Sequence, residues 1–176
     1  MDSVIRTIPL EHRVFLGTVK AAMEGYFGRD DRRIAHALAV AGHARRLLDY
    51  IDADPVLTMS VAYLHDIGIH EAERRHGSNA GNFQELEGPP IALRLLEELG
   101  AAPVLVEQVV AIVGRHHTPG GVDSPEFRIL WDADALVNFA EVLPGKPAAE
   151  VEPILRRHMV TEPGYRAARQ LFLAAG

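Results

Sequence analysis

Apolar residues recur at three- and four-residue intervals along most of this chain, and the strict alternation of a half-buried strand is absent. A first helix is expected from about Pro9 to Tyr26, closed at Gly25 or Gly28. A second begins after Asp30 or Asp31, either of which can accept from the free N–H groups of a first turn, and runs to about Ile51. Asp54-Pro55 offers a capping carboxylate and a proline at the first helical position, opening a helix that stops near Gly68. Ser78 to Pro90, rich in Gly, Asn and Pro, is expected to be an exposed loop. IALRLLEELG then returns to helical spacing with Gly100 just past its end. PVLVEQVVAIVGRHH carries the valines of a strand, but Pro103, its length and its lack of alternation favour a helix. TPGGVD is a turn, Ser124-Pro125 restarts a helix through Trp131 to about Val142, and Pro144 and Pro147 end it before one or two short final helices. The pattern predicts an all-α fold, a single domain over residues 1–176 with C-terminal helices at 148–175 packing on the rest.

Composition narrows the picture. No apolar run approaches the roughly 18 residues a bilayer span needs, and Met1–Leu10 lacks a signal-peptide pattern. There is no cysteine, so no disulfide or thiolate site is available and a cytoplasmic protein is expected. Any metal must be held by imidazole and carboxylate. A net charge of −6 argues against a general nucleic-acid binder, since phosphate neutralisation needs a basic surface. It leaves room for a small phosphorylated ligand. Lys20 and Lys146 are the two lysines; the remaining cations are arginines, whose planar fork suits phosphate.

Four polar clusters interrupt the apolar pattern. In RIAHALAVAGHARRLL, His36, Val40, His43 and Leu47 share one helical stripe. His36 and His43 are seven residues apart, roughly 10 Å along the axis, so at most one can reach a given ion. His65-Asp66 ends the packed run Val61, Ala62, Leu64; side chains about 100° apart on a helix meet only at something between them, and a cation suits that place. His116-His117 end a second apolar helix. Asp132 and Asp134 lie in ILWDADALVNF, where buried carboxylates must be paired or metal-bound, and one of the two is expected to face solvent. Any one cluster alone reads equally well as a polar helix end bonded to backbone.

Taken together, His36, then His65-Asp66 with Gly68, then His116-His117, then an aspartate in an Ala-Asp-x-Leu setting resemble the HD-domain superfamily. Its members are all-helical metal-dependent phosphohydrolases, with some divergent oxygenases and regulatory proteins. The resemblance spans about Ile34 to Asn138, and EGPPIALRLLEELG is further similar to small stand-alone members. It implies a helical bundle of the HD type with His36, His65, Asp66 and Asp134 as metal ligands; Asp134 fits the last position better than Asp132. It implies His116 and His117 as ligands of a second ion. The two-metal branches carry one more intermediate histidine that is missing here, with Glu87 near its place, so one metal site is expected and a second is left open. The lysine that follows HD-Ile-Gly in the cyclic-dinucleotide phosphodiesterase branch is Ile69 here, and that branch's Gly-Tyr-Pro is absent, which sets it aside.

The implied activity is hydrolysis of a small phosphate ester, a nucleotide being favoured, by metal-activated water. Asp66, His117 and Glu87, with His70 behind them, are the candidates for placing the water or moving a proton. Arg74, Arg75 and Arg115 lie nearest in sequence to meet a phosphate. The stretch Gly77 to Gly88 is expected to form a lid. Imidazole and carboxylate would accept Mn, Fe, Ni, Co, Mg or Zn. Two other classes share these ligands: a di-iron oxygenase, and a regulatory module that binds metal or nucleotide without catalysis. His12 and His158 are expected at the surface, and QLFLAAG packs internally or on a second subunit.

Overall fold

The computed structural model describes residues 7–173. The reading of Met1–Leu10 lies mostly outside the described residues, as do the final residues of the 148–175 segment and of QLFLAAG. Nine helices and no strand occur among the described residues: α1 (Leu10–Phe27), α2 (Asp31–Leu47), α3 (Pro55–Leu64), α4 (Ile69–His76), α5 (Gly81–Glu98), α6 (Pro103–Val113), α7 (Pro125–Val142), α8 (Ala148–His158) and α9 (Glu162–Phe172). The all-α expectation holds. No described helix is long and apolar enough to cross a membrane.

Side-chain caps set several of the helix starts. The Asp30 carboxylate accepts from the Arg33 N–H at 3.2 Å, and Asp54 accepts from Val56 and Leu57 at 2.7 and 2.9 Å with Pro55 following. Ser124 does the same for α7 through the Phe127 N–H. Each bond satisfies a donor that the first turn of a helix leaves unpaired.

Helix α3 runs through the centre, apolar on nearly every side, and packs against α1, α2, α6 and α7. Val19, Met23, Val40, Ile67, Ile112 and Ile129 close around it with almost no exposed surface. Removing an aliphatic side chain of this size from water contributes roughly 1.5–3 kcal/mol. A second apolar cluster, including Leu136, Leu143, Leu155 and Met159, joins the C-terminal half of α7 to α8 and α9.

Ser78–Pro90 is not a loop, and the Gly77–Gly88 stretch is not a lid. From Gly81 onward it is the first half of α5, with Gln84, Glu87 and Gly88 buried. The glycines there serve close approach. A Cβ at Gly68 would come within 2.5 Å of the Gly88 backbone nitrogen, and one at Gly88 within 2.8 Å of a Val113 methyl. Pro89 and Pro90 are accommodated inside the helix, although neither supplies an N–H. The α3 helix also ends earlier than expected, at Leu64, and the unpredicted α4 intervenes before Gly77 closes it in the left-handed region at φ 65°.

Candidate metal centre

His36 from the middle of α2, His65 and Asp66 from the end of α3, and Asp134 from the middle of α7 meet at one point. His36 Nε2 stands 3.1 Å from Asp134 Oδ1, 3.6 Å from Asp66 Oδ2 and 3.3 Å from His65 Nε2. His65 Nε2 is 3.6 Å from Asp66 Oδ1 and 3.7 Å from Asp134 Oδ1. His65 is 1% exposed. Its Nδ1 donates to the Ala62 carbonyl at 3.0 Å, which leaves the Nε2 lone pair turned into the cluster. Two ring nitrogens facing each other at 3.3 Å need a proton or a cation between them. Donor atoms gripping one ion at about 2.0–2.2 Å lie roughly 3–3.6 Å from one another, so the residues fit a divalent metal.

A second group shares Asp66. Donor atoms of Asp66, His116 and His117 lie within 4.8 Å of one another, as do those of His36, His65 and Asp66. His116 Nδ1 donates to the Val113 carbonyl at 2.7 Å, so its Nε2 also faces inward, 3.4 Å from Asp66 Oδ1. That buried Nε2 has no hydrogen-bond partner. An orphaned buried nitrogen is costly unless a ligand completes it.

The charges are mutually arranged. Burial alone would raise the Asp66 carboxyl, but His65 and His116 beside it hold it well below the usual carboxylate range. Asp134 is likewise lowered, because the His36 hydrogen bond and the nearby His65 outweigh its burial. Burial disfavours charge on His36 and His116 too, yet Asp134 with Asp66 raises the first and Asp66 the second. His65 and His117 are lowered, chiefly by burial. The cluster therefore carries two anions, two imidazoles held toward the neutral form and two, His36 and His116, held toward the protonated form, whose protons a cation would displace.

Other expected residues lie elsewhere. The buried Glu87 carboxylate is held by His76 at 2.9 Å and Arg75 at 3.4 Å, and it belongs to neither donor group. Arg74 and Arg75 both bind Glu71. Arg115 is exposed. His70 caps a different contact, 2.8 Å from Asp30 Oδ2, and His43 sits beside Arg46. Asp134 is the one of the two acids that keeps an exposed side, 23% of its side-chain surface, whereas Asp132 does not face solvent. Asp132 is fully buried and accepts from the Val160 and Thr161 N–H groups and the Thr161 hydroxyl, tying the α8–α9 turn to α7. His158 is half-buried rather than a surface residue, stacked on Trp131 at 5.2 Å.

A cleft of about 450 Å³ opens over the cluster, with His36, Asp66, His117 and Asp134 in its floor and Arg32, Arg33 and Asn138 in its walls. Sequence reading missed these last three, although a signal existed. Arg32 and Arg33 precede His36 by four and three residues, and Asn138 follows Asp134 by four, so helical spacing puts them on the same faces. Asn138 donates to Asp134 Oδ2 at 2.9 Å, which orients that carboxylate.

The family model described as HD domain matches residues 33–138. The crystal structure of a predicted HD superfamily hydrolase from an uncultured Thermotogales bacterium is similar at a TM-score of 0.57 and 25% identity, over 90% of this chain and 83% of that one. No curated protein matches the sequence significantly.

Proposed function

From the premise that the chain belongs to the HD-domain family, we propose that it is a metal-dependent phosphohydrolase that cleaves a small phosphate ester with water, a nucleotide being the favoured substrate. The observation that carries this reading is the convergence of His36, His65, Asp66 and Asp134, with Nε2 lone pairs and ionised carboxylates turned to one point. These four would hold one divalent ion. Asp66, shared with His116 and His117, would hold a second. When bound, such ions acidify water toward neutrality and offset negative charge on phosphoryl oxygens.

The chain's own groups do the rest. Asp66 and Asp134 remain ionised across the neutral range and anchor the cation. With only the first ion bound, His117 is free of metal at the cleft, and desolvation together with the charge of His116 lowers its pKa, suiting it to accept a proton from the attacking water. Arg32 and Arg33 line the cleft wall, where a phosphate would compete for their guanidinium groups with Glu141, 4.0 Å from Arg32, and Glu73, 3.3 Å from Arg33. The new phosphorus–oxygen bond forms from water as the bond to the alcohol oxygen breaks.

The test is elemental analysis of the purified protein, beside a phosphatase and phosphodiesterase screen with Mn, Fe, Co, Ni, Mg and Zn. The wild type should retain at least one transition ion per chain and turn over a phosphate ester. The double variant His65→Ala, Asp66→Ala should lose both. Unchanged metal content in that variant, or a metallated protein inert to every ester, would overturn the proposal.

A further inference from the structure

A second cavity of about 250 Å³ adjoins the cluster on the side of α7 and α8. It shares His117, Asp134 and Asn138 with the arginine-walled cleft, so the two spaces border the same polar residues. Its far wall differs in kind. Trp131 and His158 stack with their planes 20° apart, and Phe139 meets His158 edge-on at 5.1 Å. The Trp131 indole N–H donates to the His158 carbonyl at 3.1 Å, so its polar atom is occupied and the side chain contributes carbon to the chamber it lines. Burial lowers the His158 pKa, and no lysine or arginine lines this cavity, so its aromatic wall is uncharged near neutral pH. At about 250 Å³ the chamber falls below the roughly 300 Å³ at which pockets enclose whole ligands, so it suits one part of a larger molecule.

We propose that the ligand lies across the metal centre, with its phosphoryl group toward Arg32 and Arg33 and a flat aromatic ring in the chamber walled by Trp131, Phe139 and His158. Aromatic rings seat flat groups by stacking and exclude the water that an open polyol would keep. The site therefore selects phosphate esters that carry a planar ring over sugar or glycerol phosphates. This rests on the hydrolase reading for where the phosphoryl group sits, and on the cavity for the ring.

The chain has one tryptophan, so its emission reports on this chamber alone. Phenylphosphonate and methylphosphonate share a head group that is not hydrolysed and differ by the ring. Titrated into the metal-loaded full chain, phenylphosphonate should change Trp131 emission and bind roughly tenfold or more tightly than methylphosphonate by calorimetry, the scale of one stacking contact. In Phe139→Ala, or in His158→Ala should the first fold poorly, the two ligands should bind alike. Equal affinities in the wild type, or unchanged emission at saturation, overturn the proposal. The hydrolase reading fails separately: an inert, metallated protein that still prefers the phenyl ligand would keep the chamber and lose the reaction.

Discussion

Asp66 is the pivot at the residue scale, because it faces His36, His65 and His116 at once. Replacing it by Asn keeps its volume and removes its charge. The His116 pKa, raised by that carboxylate against the pull of burial, should then fall, which imidazole proton shifts across a pH titration would record. The same raised values set the pH dependence of metal uptake. Without metal, His36 and His116 keep their protons above the ordinary value of 6.5. A cation must displace them, so apparent affinity should rise with pH through and above that value and fall on acidification, with proton release in calorimetry across buffers. Asn138→Ala leaves every donor atom in place but frees the Asp134 carboxylate, and metal affinity should drop roughly 10–100-fold. Residue types and their helical spacing were legible in the sequence. What each carboxylate touches was not: Asp132 and Asp134 stand two apart in one apolar frame, yet one caps a distant turn and the other faces His36 on α2 and His65 at the end of α3.

Glycine contacts decide how the elements sit. Gly68 and Gly88 bring α5 against the turn that carries His65 and Asp66. Gly68→Ala forces a methyl into backbone rather than into a yielding side chain, and about 1–3 kcal/mol of stability should be lost in denaturant unfolding. At Gly164 a Cβ would fall 2.1 Å from Asp132 Oδ2, the carboxylate that ties the α8–α9 turn to α7. Gly164→Ala should lower the melting temperature and shift Trp131 emission to the red as the His158 stack opens to water. The loop expected at Ser78–Pro90 shows why composition misled. Glycine and proline mark turns when chain direction must change, but the same glycines serve a helix that must approach another backbone closely, and only the neighbour distinguishes the two.

Across the whole molecule, the centre ties together α2, α3, α7 and the end of α6, elements that contribute ligand-type side chains from positions 36 to 134. A ligand bound only by the folded chain stabilises it by mass action, by about 2.7 kcal/mol at one hundred times its dissociation constant. Chelator should accordingly lower the melting temperature, and His65→Ala should abolish the difference between treated and untreated protein. The same centre lies where the main core meets the smaller apolar cluster of α8 and α9, and that junction brings an aromatic wall to a polar site.

The amino-acid order by itself determined the helical class, most caps and stops, and the stock of imidazoles and carboxylates, because helical period and capping are local and act within a few residues. Tertiary structure decided which of nine histidines face a common point, that α5 begins inside a glycine-rich stretch, and that Arg32 and Arg33 rather than Arg74 and Arg75 wall the cleft. The period of a helix fixes which face a side chain occupies, whereas the rotation of one helix against another follows from close contacts between residues far apart in the chain.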